Sequence, residues 1–159
     1  MISLYGNMIK QKKEEVSEES AAYLEKVLNS ANELYFAMKD VIWSLKPEAE
    51  SLNGLTQHIG DLGQRLFENS DTEFVLMSNL ESTKDIPLSK DQSKQLSLIV
   101  REGMHNALRH AKAQTFKLEI KHHLNFLNID MIDDGVGLSK KGSGEGFENM
   151  KIRAEKLNG

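Results

Sequence analysis

Cysteine is absent from these 159 residues, which excludes disulfides and thiolate chemistry and leaves a reducing cytosol as the expected compartment. No apolar run approaches the roughly 18 residues of a membrane span, and no signal-peptide pattern opens the chain. Membrane contact by this segment is therefore not expected, and any membrane part of a parent protein lies outside it. An excess of positive charge is also missing. Lysine and arginine total 20 against 24 acidic residues, for a net charge of −4. Lys10-Gln11-Lys12-Lys13, the notable basic cluster, runs straight into Glu14-Glu15, so its field is largely cancelled. A nucleic-acid surface needs a basic stripe, and none is offered. What remains is 39% hydrophobic and 28% charged residues, the composition of one ordered core with a helical appendage.

Proline and glycine are both absent between Ala21 and Lys46. Through that interval Leu24, Leu28, Ala31, Tyr35, Met38, Ile42 and Leu45 alternate four- and three-residue steps, a bundle seam about 33 Å long. Val27, Leu34 and Val41 form a second stripe beside it, which suits a helix with more than one neighbour, as in a four-helix bundle. Tyr5, Met8, Ile9 and Val16 give a shorter helical pattern upstream, with a turn and N-cap expected at Ser17-Glu18-Glu19-Ser20. The N-terminal third therefore reads as a helical hairpin whose first arm is too short for its second.

Pro47 stops the long helix, and 47–53 reads as a linker. Leu52, Leu55, Ile59, Leu62 and Leu66 mark another amphipathic helix, and 73–78 a strand. Pro87 and the capping box Ser89-Lys90-Asp91-Gln92 open the next helix. Two alternating strands, 115–121 and 125–133, precede a glycine-rich stretch and a final helix over 147–157. This order implies an α+β sandwich with helices on one face of the sheet.

Three stretches carry chemistry. On a helix with Glu102 set to zero, Asn106 falls at about 40°, His110 at about 80°, Arg109 at about −20° and His105 at about −60°. Ile99, Gly103, Ala107, Leu96, Val100 and Ala111 fill the adjoining arc from about 60° to about 180°. Polar groups half-sunk against a core need partners, and a metal-bound polyphosphate would serve; a solvated helix face is the competing reading. The second stretch is Asp133-Asp134-Gly135-Val136-Gly137. Strand alternation turns Asp133 to the face of Leu127, Ile129 and Met131, where a carboxylate needs a donor such as an adenine amino group. A hairpin turn at Asp134-Gly135 is the alternative, although no strand-like sequence follows. An EF-hand frame fails, since it places Ile132 and Lys141 at ligand positions. The third is Lys140-Lys141-Gly142-Ser143-Gly144-Glu145-Gly146, whose amides could hold phosphates ahead of a helix, or which forms a flexible loop. His58 and the pair His122-His123 are expected to face solvent, and no zinc spacing links the histidines.

In this order the three stretches resemble the ATP-binding catalytic domain of two-component sensor histidine kinases, of the GHKL superfamily shared with gyrase-type ATPases. Glu102-x-x-x-Asn106-Ala107-x-x-His110 is similar to the family's asparagine box. Asp133-x-Gly135-x-Gly137 is similar to its first glycine box, and Gly144-x-Gly146 with Asn149-Met150 to the second. Arg153-Ala154-Glu155-Lys156-Leu157-Asn158-Gly159 looks like the closing helix. Asp40-Val41-Ile42-Trp43-Ser44-Leu45-Lys46-Pro47 resembles the end of the second dimerisation helix in the subclass of nitrate and membrane-fluidity sensors.

The resemblance implies a dimerisation hairpin over 1–47 and a truncated Bergerat-type ATP-binding domain over 48–159, with its sheet incomplete at the C-terminus. It implies ATP and Mg²⁺ as cofactors. Asn106 would hold the Mg²⁺, Glu102 would orient or activate groups at the transferring phosphoryl, and Arg109 and His110 would approach the phosphates. Asp133 would accept from adenine, Gly135 and Gly137 would clear space for the base, and Gly144 and Gly146 would close a lid. It further implies a homodimer through 1–47, a response-regulator receiver domain as partner, and a cytoplasmic location, either free or as part of a membrane-anchored parent.

The sequence departs from the family pattern in that no histidine here stands in the acceptor context, followed by an acidic residue on the first dimerisation helix. His105 and Phe147 also replace the residues usual at their positions. The expectation is a fragment that does not autophosphorylate alone and binds ATP more weakly than a complete domain. Two rivals remain: an anti-sigma-factor-type serine kinase, which would lack the hairpin of 24–45, and a non-enzymatic dimerisation module with a degenerate pocket.

Overall fold

The computed structural model describes residues 18–80, 85–124, 126–137 and 145–159. The chain divides into two units, with the break after Trp43.

In the first unit, helix α1 spans Glu18–Ser44. Its start places Glu18, Glu19 and Ser20 inside the helix rather than in a turn; the shorter upstream pattern lies outside the described residues. With no proline or glycine to interrupt it, the periodic sequence runs as one helix. Much of the seam is bare: Leu34 is 67%, Met38 63% and Ile42 57% exposed. Lys39 lies over the Tyr35 ring at 4.8 Å, covering one aromatic face with a cation.

The second unit begins with a short 3-10 turn, Pro47–Glu50, followed by helix α2, Leu52–Phe67. Strand β1 (Glu73–Ser78) and helix α3 (Lys90–Asn106) come next, and α3 continues into a π-helical segment, Ala107–Ala111. Strands β2 (Thr115–His123) and β3 (Phe126–Asp133) then precede helix α4, Glu145–Lys156. Residues 47–53 are not a linker. Ala49 is fully buried, and Leu52 N donates to Ile86 O at 2.8 Å while Leu88 N donates to Glu50 O at 2.9 Å. Ser51 Oγ accepts from Gly54 N at 3.0 Å and caps α2. Serine and proline signalled a helix boundary correctly, but the boundary is built into the domain.

The described sheet runs β1-β2-β3, with β1 parallel and β3 antiparallel to β2. Phe116, Leu118 and Ile120 of β2 point to one face, where they pack with Leu52, Leu55 and Ile59 of α2 and Val100 and Met104 of α3 as the core. The rings of Phe67, Phe74 and Phe116 stack at one end of this layer. On the opposite face Glu119 is flanked by Lys117 and Lys121, which both pair with it. Those two ammonium groups hold the Glu119 carboxyl down at about 2. The arrangement is the expected α+β sandwich with helices on one face.

Candidate functional site

The capping box at the start of α3 forms as the sequence indicates. Gln92 N donates to Ser89 Oγ at 3.1 Å, and Ser89 N donates to Gln92 Oε1 at 2.8 Å. From this fixed start the buried stripe of α3 is Ser93, Ser97, Val100 and Met104, continued by Ala107 and Ala111. Its centre lies at about 180° from Glu102, some 60° beyond the centre of the apolar arc read from the sequence. The arc read from the sequence included Leu96, Ile99 and Gly103, which are only half-buried, and left out Met104, Ser93 and Ser97, which are buried. Glu102 therefore sits opposite the core, half-buried, with Asn106 beside it.

The helix does not stay α-helical to its end. The π segment turns less per residue, so Arg109 and His110 leave the row that an ideal α-helix would give them. Both are exposed, whereas Glu102, His105 and Asn106 are half-buried. Lys112, in the left-handed conformation at φ 52°, ends the segment.

Asp133 lies opposite Phe116 in the β2–β3 ladder, on the core-facing side as alternation required. Its Oδ1 accepts from Gly135 N at 3.0 Å. The neighbouring Asp134 is structural: its Oδ1 accepts from Gln114 N at 2.8 Å and Thr115 N at 2.9 Å. Those backbone donors, Thr115 foremost, hold the Asp134 carboxyl below its ordinary range. Val136 N donates to Ala111 O at 2.9 Å, and a Cβ at Gly135 would overlap that same carbonyl. Gly135 is thus required for the loop to press against the end of the π segment. Gly137 has φ 73° with nothing near its Cβ position, so its glycine serves the backbone turn.

The third stretch arrives from the other side. A Cβ at Gly146, in the first turn of α4, would overlap the Glu102 carboxylate. Gly144 lies outside the described residues. The loop after β3 therefore meets the end of the Asn106 helix at Ala111, and α4 meets its middle at Glu102. Segments far apart in sequence converge on one helix.

Among the described residues no cluster of three or more His, Asp or Glu side chains could hold a metal. That donor set does not suit a dedicated all-protein cage. An open cavity of about 440 Å³ lies elsewhere, between the end of α2 and the start of β1, bordered by Arg65, Phe67, Thr72 and Phe74; none of the motif residues lines it.

Two histidine expectations change. His58 is half-buried with Nε2 shielded from solvent, because its helix face abuts the core. His122 belongs to β2 and is half-buried, its backbone held by Asn79, whose Oδ1 accepts from His122 N at 2.9 Å. The polar Gln95–Arg153 contact between α3 and α4, 2.8 Å, gave no sequence signal beyond two polar residues on facing helices.

No family model matches the chain. The fold is that of histidine kinase domains. The histidine kinase domain from the blue-light activated histidine kinase of Erythrobacter litoralis EL346 superposes with a TM-score of 0.51 at 14% identity, covering 65% of this chain and 52% of that one. A longer structure of the same kinase gives 0.51 at 16% identity, covering 64% and 37%. In sequence the chain is 26% identical over 135 residues to the protein described as sensor histidine kinase YhcY of Bacillus subtilis (strain 168). That similarity covers 82% of this chain and 33% of the relative, so the chain spans about a third of the curated relative's length. Among the described residues no helix is long and apolar enough to cross a membrane.

Proposed function

We propose that this chain is the ATP-binding core of a two-component sensor histidine kinase, of the subclass resembling nitrate and membrane-fluidity sensors. It holds Mg·ATP and presents the γ-phosphoryl to a histidine supplied from outside this chain, for relay to a response-regulator receiver domain. The observation that carries this reading is the convergence on α3: Gly135 against Ala111 and Gly146 against Glu102. It supports a site walled by α3, the loop after β3 and the first turn of α4.

Within that site the roles are those the family resemblance implies. Mg²⁺ would neutralise phosphate charge, and the Asn106 carboxamide oxygen would be its protein ligand. Glu102, opposite the core, orients groups at the transferring phosphoryl. Arg109 and His110, exposed beyond Asn106, meet the phosphates. The Asp133 carboxylate keeps acceptor capacity after its bond to Gly135 N, since two oxygens offer about four lone-pair sites. It accepts the adenine amino group, while Gly137 keeps the approach open; by the resemblance Gly144 and Gly146 would close a lid. Catalysis of this kind rests on positioning and charge neutralisation.

The bare apolar residues of α1 support homodimerisation through 1–47, with 48–159 as the nucleotide-binding domain. A cytoplasmic location fits this chemistry, which needs ATP.

Calorimetric titration with Mg·ATP tests the reading. Saturable binding is expected, with Asp133→Asn weakening it by about 1–3 kcal/mol through loss of a charged acceptor. Absence of binding would favour a non-enzymatic dimerisation module, and an unchanged affinity in D133N would remove Asp133 from the adenine contact.

A further inference from the structure

Two contacts set how far α4 is slid along α3. Arg153 Nη1 donates to Gln95 Oε1 at 2.8 Å. Gln95 is 8% exposed, and its Nε2 donates to Asp91 Oδ1 at 3.3 Å. Seven residues onward along α3, and seven back along α4, Glu102 meets Gly146. Seven residues are about two turns, roughly 10 Å, on each helix. The helices are therefore antiparallel, and the two contacts are steps of one register. Sliding α4 by one residue would part Arg153 from Gln95 and could bring Phe147 onto the Glu102 carboxylate.

We infer that α4 acts as a stop for the Glu102 carboxylate, with Gly146 shaped to receive it and the Gln95–Arg153 pair setting the register. These three are positioning residues for Glu102, and the inference rests on the nucleotide reading for its functional meaning. A glutamate side chain loses rotamer freedom only where something confines it. Here the confinement comes from an element that follows the glycine-rich loop in sequence. Displacing a group at a reacting centre by about 1 Å can cost roughly a hundredfold in rate. Residues that touch no nucleotide therefore matter through Glu102.

The test uses the whole chain with ¹³C at the glutamate δ-carboxyls, and Glu102→Gln identifies the Glu102 resonance. Gly146→Ala is expected to move that resonance as the flexible carboxylate turns aside, with little change in the thermal midpoint. Arg153→Met should move the same resonance from two turns away, and Arg153→Lys, which can still donate to Gln95, should return it. If R153M lowers the midpoint while the resonance stays in place, the pair is ordinary helix packing and the inference is overturned. A Glu102 resonance unmoved in G146A overturns it as well. Should G146A not fold, the R153M and R153K comparison decides alone. The resonance answers whether or not the unsubstituted chain binds Mg·ATP, so the two readings fail separately.

Discussion

Ser93 and Ser97 occupy positions on α3 where an apolar residue would be the ordinary choice. Their hydroxyls are buried with no hydrogen-bond partner among the described residues. An unsatisfied buried hydroxyl costs about 1–3 kcal/mol, and removing it leaves only a small void. Ser97→Ala is therefore expected to leave stability unchanged or raise it by about 1 kcal/mol. Urea unfolding followed by circular dichroism measures this; a clear loss of stability would mean that the hydroxyl is satisfied in solution. The same serines are part of why the sequence misplaced the core side of α3, and Leu96 and Ile99, apolar by type yet only half-buried, are the rest. Residue type is an average over environments, and two small polar residues in an apolar stripe shift its apparent centre. Asp133 was easier to read, because strand alternation fixes a face whatever the residue's polarity. Asp134 was not, since its role depends on the amides of Gln114 and Thr115 reaching it from another strand.

Elements were legible where a period ran unbroken. The capping box, the 73–78 strand and the β2–β3 pair lie close to where spacing puts them. The π segment was not, because nothing in Ala107-Leu108-Arg109-His110-Ala111 departs from helical composition. The loop carrying Gly135 meets its end, with Val136 N donating to Ala111 O at 2.9 Å. Helix α1 poses the opposite case: its pattern was plain, yet Leu34, Met38 and Ile42 stand exposed in the single chain. If the bare stripe is a dimer seam, Leu34→Glu places a charge in it, 67% exposed in the single chain. The expected outcome is a dimer-to-monomer shift in analytical ultracentrifugation with helix content largely kept. A monomer before substitution, or a dimer unaffected by it, would remove α1 as the seam.

At the scale of the whole molecule, the outward face of the sheet links charge to stability. The Glu119 carboxyl sits at about 2, against an ordinary value of 4.5, because Lys117 and Lys121 pair with it. A depressed carboxyl stabilises the folded state above its unfolded value, and that contribution drains away as pH falls from 4.5 toward 2. Thermal midpoints should therefore fall over that window, and more steeply in the unsubstituted chain than in Glu119→Gln. Equal slopes would show that the lysines do not hold the carboxyl in solution. Lys121, raised by the same pairing, gives the mirror effect at high pH, where its contribution is lost as the ammonium deprotonates.

The parallel pairing of β1 with β2 also has a consequence in time. β2 and β3 are separated by only two residues, with His123 paired to Phe126, and can zip from there, whereas Glu73 finds Thr115 only after the chain between them closes a loop of about 40 residues. The hairpin is thus the early structure. It brings Asp134 to Gln114 and Thr115, and with them the end of the sheet that carries Asp133, before β1 joins. The corner that carries Asp133 would then be assembled from local contacts, and the slow step of folding would fall on the strand furthest from it.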